Sequence, residues 1–131
     1  MLAEIQTALD GRLATFGGEI AWEGVPYFPK VGTPYVASQV AGRGAIQAGV
    51  GPNSPRFWTG FYRLLVAYPT GEGLGPAYVM ADALMALFPR GLTLTVGSST
   101  MQVERSFTES AYSAADWINV PVTVQWFYQE P

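Results

Sequence analysis

The feature of the sequence that most constrains its fold is a strict period-two alternation close to the C-terminal end. Apolar side chains occupy every second position from Ile118 to Tyr128, and polar residues such as Asn119 and Gln125 lie between them. Since successive side chains of a strand point to opposite faces of a sheet, this pattern predicts a strand with one buried face. Pro121 lies on the polar side and has no N–H, so we expect it at a sheet edge or at a bulge.

Two helices and several further strands are predicted before this strand. Apolar residues recur at helical spacing over residues 2–14, and Gly17 and Gly18 mark the end of that helix. A second helix is predicted over residues 76–88, where Pro76 suits the first helical turn. The predicted extended segments are residues 19–29, 34–42, 58–69, 92–97 and 101–107, the last two as a hairpin.

The order of these elements indicates the fold class. A helix, three strands, a helix and three strands in a chain of 131 residues predict an α+β fold in a single domain. We expect a mostly antiparallel β-sheet with the two α-helices packed on it. The segment 58–69 is apolar on both faces except at Arg63, which predicts a central strand covered on both sides. Arg63 is expected to pair with Glu104 or Glu23.

The supply of charged residues is low for a small domain. Only 13% of the chain is charged, against a usual fraction of about 25%, while 49% is hydrophobic. Either the domain has a Ser-, Thr- and Gln-rich surface, or copies of itself or other proteins cover part of it. Helix 76–88 contains Asp82 as its only charge and is apolar nearly all round. Its second side is covered either by a neighbouring subunit or by the domain's own loops.

Missing residue types exclude most catalytic chemistry. The chain has no Cys and no His, which excludes disulfides, thiol nucleophiles, imidazole bases and His/Cys metal sites. Acidic residues are scattered, and no motif favours a carboxylate pair built from distant positions such as Glu23, Asp82 and Glu104. We therefore expect a protein that is not an enzyme, without catalytic residues, cofactor or metal.

Charge and hydropathy also limit the partners. The net charge is −3, so the chain lacks the basic surface of a nucleic-acid-binding protein. No segment has the pattern of a signal peptide or a membrane span. Six of the seven basic residues are arginine, which reflects either the use of Arg at protein interfaces or a genomic bias. The sequence predicts a protein of the cytoplasm that binds neither nucleic acid specifically nor a membrane.

Glycines at 71, 73 and 75 follow a predicted strand and precede a predicted helix, which is the layout of a phosphate-binding loop. The details do not fit a nucleotide site. Pro76 replaces the third glycine of the dinucleotide fingerprint, no Lys followed by Ser or Thr ends the loop, and Glu72 would repel a phosphate. We interpret the glycines as a tight strand-to-helix turn.

A segment without periodicity, residues 44–57, separates two predicted strands and indicates a flexible loop or hairpin tip. Arg43, Arg56, Phe57 and Trp58 lie at its base and include the residue types that contribute most to protein interfaces. We take these four as candidate contacts with a neighbouring subunit or partner; the alternative is a disordered surface loop. Three aromatic residues of segment 19–29 are expected to anchor it to the core: Trp22, Tyr27 and Phe28.

Four segments occur in a familiar order. They are IQTALDGRL in the first helix, IAWEGVPYFP after it, GFYRLLVAYPTGEGLGPAYVMADALMALFP across strand, turn and second helix, and the closing WINVPVTVQWFY. Each alone is a packing or turn pattern, whereas their order, spacing and length together are more specific. In this respect nearly the whole chain resembles the small tail terminator-like proteins of long-tailed bacteriophages.

The resemblance implies an α+β fold and a structural role in the tail of a phage or prophage particle. Proteins of this family assemble into a ring, usually a hexamer, on the end of the finished tail tube. The ring stops further addition of tube subunits and presents a surface for joining the head. The implied partners are other copies of the chain, the tail tube protein and a head–tail connector protein, with assembly in the host cytoplasm. The resemblance supplies no catalytic or binding residues.

Two other functions stay open at this stage. A tail tube subunit or a head–tail joining protein of the same machine would share the ring-forming principle, although a tube subunit would stack into filaments. A monomeric binding module or small enzyme would instead use the aromatic-rich sheet face as a pocket. It would require a ligand-sized cavity with converging polar groups.

Overall fold

A curled, seven-stranded sheet forms the frame of the protein in a computed structural model that describes residues 2–47, 56–97 and 99–129. Two helices, α1 (Leu2–Leu13) and α2 (Gly75–Leu87), and a 3-10 turn over Ala14–Phe16 accompany it. The strands are β1 (Glu19–Ala21), β2 (Tyr35–Gln47), β3 (Arg56–Pro69), β4 (Thr93–Val96), β5 (Ser99–Thr108), β6 (Tyr112–Ala114) and β7 (Trp117–Gln129).

The strand order across the sheet is β1-β2-β3-β7-β5-β4, and β6 pairs with the beginning of β7. The described pairs are antiparallel except β1 with β2. β7 is central, with β3 along one edge and β5 and β6 along the other. The expected α+β class and mostly antiparallel sheet are confirmed, and β6 is an additional strand that the sequence did not indicate.

The core lies between one face of the sheet and the two helices. Arg12 of α1 joins the helices, because its Nε donates a hydrogen bond to the Leu87 carbonyl at 2.9 Å. That bond satisfies a carbonyl in the last turn of α2, which has no partner within the helix. The helical side is buried through Ile5, Leu9, Leu13, Ala77, Ala81, Leu84 and the following Phe88. These residues meet the alternating apolar residues of β7, whose buried face the sequence predicted correctly.

The glycine-rich segment between β3 and α2 is a turn, as interpreted. Gly71 and Gly73 adopt φ values of 112° and 77°, in a region that residues with a Cβ rarely occupy. Pro76 lies in the first turn of α2, where its missing N–H has no partner to lose. The two glycines allow the chain to reverse from strand to helix within a few residues.

Pro121 lies at a gap in the pairing of β7, rather than at the expected sheet edge or bulge. Along the edge of β7 away from β3, β5 pairs as far as Val122 and β6 resumes pairing at Asn119. The Pro121 carbonyl accepts a hydrogen bond from the Glu109 N–H at 3.0 Å, in the segment between those two strands. Since the nitrogen and carbonyl of a strand residue point to the same edge, the Pro121 nitrogen faces the gap and removes no ladder hydrogen bond.

Strand pairing extends into both ends of segment 44–57, which the sequence indicated as a loop. β2 continues to Gln47 and β3 begins at Arg56, and these two residues pair. A register shift between Gly42 and Ala45 marks a β-bulge in β2. The prediction is wrong at these ends because a Gly- and Ala-rich strand has no hydrophobic alternation. The rest of the predicted loop, residues 48–55, lies outside the described residues.

β3 is central, as predicted, but the described elements cover only one of its faces. Leu64 and Val66 on the helix side are fully buried. On the opposite side, Phe61 and Leu65 are half-buried and Arg63 is exposed. The prediction of cover on both sides is therefore wrong for the described part of the chain. An apolar run indicates that both faces of a strand are to be buried, but it does not indicate whether the same chain or another protein buries them.

Candidate subunit interface

α2 has an apolar outer side that no described element covers. Tyr78 and Val79 are 43% and 69% exposed, although the opposite side of the helix is fully packed. The sequence left open whether the domain's own loops or a neighbouring subunit cover this side. Within the described chain no loop covers it, which favours a neighbouring protein. We call this surface the outer α2 face; it consists of Leu74, Tyr78, Val79, Asp82, Ala83 and Ala86.

A second apolar surface is the connection between β1 and β2, residues 22–34, which we call the β1–β2 loop. Phe28 is 83% exposed, Val31 is 102% exposed and Val25 is 58% exposed. The expectation that Phe28 anchors this segment to the core is therefore wrong. An exposed Phe between two exposed Val residues is costly in water unless a partner covers it.

Aromatic contacts hold the β1–β2 loop on the sheet. The Tyr27 ring lies 4.8 Å from the Tyr35 ring, which contacts the Trp117 ring edge-on at 5.2 Å. Trp22 packs against the core. For Trp22 the predicted anchoring to the core is confirmed, whereas Tyr27 anchors the loop to Tyr35 of β2 at the edge of the core. Burial raises the pKa of the Tyr27 hydroxyl above its ordinary value.

Two hydrogen bonds order the loop internally, and one ion pair connects it to β1. The Val25 N–H donates to the Trp22 carbonyl and the Thr33 N–H donates to the Lys30 carbonyl, both at 3.1 Å. Lys30 Nζ also lies 3.3 Å from Glu19 Oε1. The exposed apolar side chains of the loop are thus carried by a backbone that is fixed at several points.

The face of the sheet opposite the helices, the open sheet face, alternates Arg and Phe across strands. The Arg105 guanidinium lies 4.6 Å from the centre of the Phe107 ring, and its Nε donates to Gln125 Oε1 at 2.9 Å. The Arg63 guanidinium lies 6.0 Å from the centre of the Phe61 ring. Such cation–π pairs keep two positive charges close to aromatic rings.

A half-open concavity of about 590 Å³ also lies on the open sheet face. Between the described side chains, Arg63 forms no ion pair with Glu23 or Glu104, so the expected pairing is wrong. Glu23 Oε1 instead accepts a hydrogen bond from the Val40 N–H at 3.4 Å. The polar residues that line the concavity are Glu23, Ser38, Gln39, Arg63, Glu109, Tyr112 and Thr123.

The four candidate contact residues lie where β2 and β3 approach segment 48–55. Arg43 is in β2 and Arg56 begins β3. Phe57 and Trp58 are both half-buried, and as neighbours in β3 they point to opposite faces. Trp58 packs at the margin of the core, whereas Phe57 lies on the side of the open sheet face. The four therefore lie at the same end of the β2–β3 pair, and Phe57 and Trp58 do not share a face of the sheet.

One buried polar contact connects the sheet to α1. The fully buried Tyr62 hydroxyl donates a hydrogen bond to Asp10 Oδ1 at 2.5 Å. Burial raises the pKa of the Asp10 carboxyl above its ordinary value, and the hydrogen bond from Tyr62 opposes that rise. The pKa of Tyr62 is raised as well, first by burial and then by Asp10. The pair fixes the position of α1 on the sheet.

Two further site types were considered among the described residues. Their acidic side chains form no group of three or more that could hold a metal ion. Within the same part of the chain, neither helix is long and apolar enough to cross a membrane.

The family model described as phage tail terminator protein matches residues 4–126 of the chain, which is nearly its whole length. The chain belongs to the phage tail terminator family. It is accordingly a structural component of a phage tail, as the resemblance of its four segments implied. A tail component assembles with other proteins of its particle, which agrees with a surface that carries uncovered apolar residues. No curated protein matches the chain in sequence.

Two solved structures have the fold of this tail terminator family member. One, which carries no functional name, has a TM-score of 0.81 at 21% identity, covering 100% of this chain and 97% of the other. The second belongs to the virion of a native gene transfer agent particle, with a TM-score of 0.62 at 16% identity. That match covers 95% of this chain and 94% of the other. At these identities the likeness concerns the fold.

Sequence reasoning missed the β1–β2 loop as a surface of this tail protein. Phe28 follows Tyr27 directly, so in an extended segment only one of them can face the sheet, and that alternation was the available signal. The spacing of Phe61 with Arg63, and of Arg105 with Phe107, likewise places each pair on one face of a strand. No sequence signal indicated which of these faces the helices would cover.

Proposed function

We propose that this protein forms a closed ring of identical subunits that caps the tail tube, ends tube polymerisation and provides the surface to which the head joins. The observation that carries the proposal is the match of the tail terminator family over residues 4–126. By analogy with that family, the ring would be a hexamer. Its partners would be the tail tube protein on one side and a head–tail connector protein on the other.

The surface chemistry supports a ring. A ring requires two different patches on each subunit, and closure then sets the number of copies. The outer α2 face and the β1–β2 loop are two such patches, and both are apolar. The net charge of −3 also suits a ring through which DNA passes, because like charges keep DNA from adhering to it.

Native mass spectrometry of the purified chain across a concentration series tests the ring. We expect one closed species, of six copies, with few intermediates. Open-ended growth would favour a tail tube subunit, because a tube protein stacks ring on ring. A strict monomer, alone and with its tail tubes, would contradict the proposal and direct attention to ligand binding in the concavity near Arg63 and Glu109.

The function in the particle is tested by removing the gene from a phage or prophage that carries it. We expect tails of uncontrolled length that do not join heads, as seen by electron microscopy of lysates. Expression of the chain in trans should restore tails of uniform length. Tails of normal length that lack heads would instead indicate a head–tail joining protein.

We further propose that Arg43, Arg56, Phe57 and Trp58 contact the tube or a neighbouring subunit, at the end of the sheet where Gln47 of β2 pairs with Arg56 of β3. Because Trp58 packs at the margin of the core, its substitution also tests folding. Arg56→Ala and Phe57→Ser are the more informative variants. If both assemble into rings and control tail length normally, this contact is wrong.

A further inference from the structure

We propose that the β1–β2 loop of one subunit docks on the outer α2 face of the next subunit, with Phe28 and Val31 as anchors. The inference takes the existence of a ring from the proposed function and argues the contact itself from the described residues. It assigns the two most exposed apolar surfaces among the described residues to each other, head to tail.

The two surfaces belong to different parts of the fold. The β1–β2 loop lies at the β1 end of the strand order, whereas α2 packs mainly on the central strands β7 and β3. A contact between different patches is heterologous, so each subunit keeps one patch of each kind for its two neighbours. Rotation by a constant angle at every contact closes such a chain into a ring.

The two surfaces differ in side-chain size in a way that allows them to fit together. The loop presents large side chains, Phe28 and Val31, that are almost entirely in water. The outer α2 face presents the small residues Ala83 and Ala86 beside Val79, which allows another chain to approach the helix closely. A buried aromatic side chain removes about 150–250 Å² from water, which makes Phe28 the expected centre of the contact.

The basic group beside the two anchors of the loop is complementary to the acidic group of the outer α2 face. Glu23, the other charged residue of the loop, accepts a hydrogen bond from the Val40 N–H of the sheet. Lys30, the only lysine of the chain, lies in the loop between Phe28 and Val31, and its side chain is 65% exposed beside Glu19. The outer α2 face has Asp82 as its only charge, and Glu72 lies in the preceding turn. An exposed Lys–Asp pair at the rim adds little affinity but sets orientation and disfavours a contact between two like faces.

The fixed backbone of the loop favours this role. Its aromatic contact between Tyr27 and Tyr35 and its ion pair between Lys30 and Glu19 order the loop before any partner arrives. A preordered loop loses little conformational entropy on binding, so more of the free energy from burying Phe28 contributes to association.

Cysteine cross-linking tests the contact directly, because the chain has no cysteine of its own. Val25→Cys, which keeps Phe28 and Val31 in the loop, and Val79→Cys are prepared as separate variants and treated with a short bismaleimide, alone and mixed, with and without tail tubes. We expect cross-linked dimers in the mixture and none in either variant alone. Tyr112→Cys is the matched control, since Tyr112 is 50% exposed but belongs to neither surface; it should link to neither variant.

The outcomes separate this contact from the ring itself. Dimers from Val79→Cys alone would overturn the head-to-tail arrangement, because they require two α2 faces to meet. No cross-links in the mixture, while native mass spectrometry of the unmodified chain gives a ring, would overturn the contact and leave the proposed function standing. A monomer in all conditions would overturn both.

A second measurement keeps the proposal independent of cross-linker geometry. Val79→Glu and Phe28→Glu each introduce a charge into the contact, and we expect each to lower the association constant at least tenfold. Tyr112→Glu should change it less than threefold. Far-ultraviolet circular dichroism of the monomers checks that all three variants fold. Normal rings from both contact variants would overturn the proposal.

Discussion

At the scale of single residues, the hydrogen bond from Tyr62 to Asp10 is the polar contact on which the position of α1 depends most. Tyr62 is fully buried, so removing Asp10 would take away its carboxylate acceptor and leave Ser38 as the side chain beside its hydroxyl. We expect Asp10→Ala to lower the free energy of unfolding by about 1.5–3 kcal/mol, the usual contribution of a hydrogen bond to a charged group. Urea unfolding followed by Trp fluorescence measures this. Asp10→Asn keeps an acceptor oxygen at the same position and should lose less; equal losses would contradict the assignment.

The raised pKa of Asp10 predicts a pH dependence of stability. Its ordinary value is 3.8, and burial raises it in the folded protein. The folded state therefore binds its proton more tightly than the unfolded state, so this group lowers stability as pH rises through the interval above 3.8. Asp10→Asn resembles the protonated carboxyl and lacks this dependence. We therefore expect the difference in unfolding free energy between Asp10→Asn and wild type to shift in favour of the variant from pH 4 to pH 7, as one carboxyl group titrates. A difference that is the same at both pH values would contradict this prediction.

At the scale of elements, the gap beside Pro121 explains how a proline can lie in a central strand. Its nitrogen faces the segment between β5 and β6, where the Glu109 N–H binds its carbonyl. Pro121→Thr should therefore change the free energy of unfolding by less than about 0.5 kcal/mol, as for a site without a ladder bond. Thr123, two residues further on the same face, is buried and pairs with Phe107. Thr123→Pro should lower the free energy of unfolding by about 1–3 kcal/mol or more, because it removes a ladder hydrogen bond. Similar changes for both variants would rule out the gap explanation.

The two sides of α2 should respond differently to substitution. Leu84 is fully buried and Val79 is 69% exposed. We expect Leu84→Ala to lower the unfolding free energy by about 2–5 kcal/mol, because it leaves a cavity in the core. Val79→Ala should change it by no more than about 0.5 kcal/mol when measured on the monomer. A large loss from Val79→Ala under those conditions would mean that the outer α2 face is covered within the chain.

The elements also show what the sequence can predict and why the rest escapes it. The β7 strand and both helices are predicted because their apolar periodicity decides between strand and helix without knowledge of neighbours. What covers the open face of β3 cannot be predicted in this way, because Phe61 and Leu65 give the same pattern whether a helix of this chain or another protein covers them. The ends of segment 44–57 are missed because Gly and Ala carry no alternation. The exposure of Phe28 was missed because only one of Tyr27 and Phe28 can face the sheet, and the sequence does not indicate which one does.

At the scale of the whole molecule, the low charge content and the uncovered apolar surfaces have one explanation. A chain with 13% charged residues exposes Phe28, Val31 and Val79, which a monomer in water would not be expected to leave uncovered. In the proposed ring, identical copies would cover those surfaces permanently. Surfaces that are buried between subunits do not need charged residues to keep the protein soluble, which would account for the low charge content.

This explanation predicts how assembly depends on salt and temperature. Apolar contacts are not screened by salt and strengthen with warming from the cold, whereas ionic contacts weaken with salt. We expect sedimentation velocity to give an association constant per contact that falls by no more than about fivefold between low and moderate NaCl, the effect of one exposed ion pair. Asp82→Asn should remove even that decrease, since it eliminates the proposed pair with Lys30 while the Lys30–Glu19 pair that orders the loop, Phe28 and Val31 stay in place. Association that instead falls by orders of magnitude with salt, or that weakens on warming from the cold to room temperature, would show that charged surfaces hold the ring and that the apolar ones serve another partner.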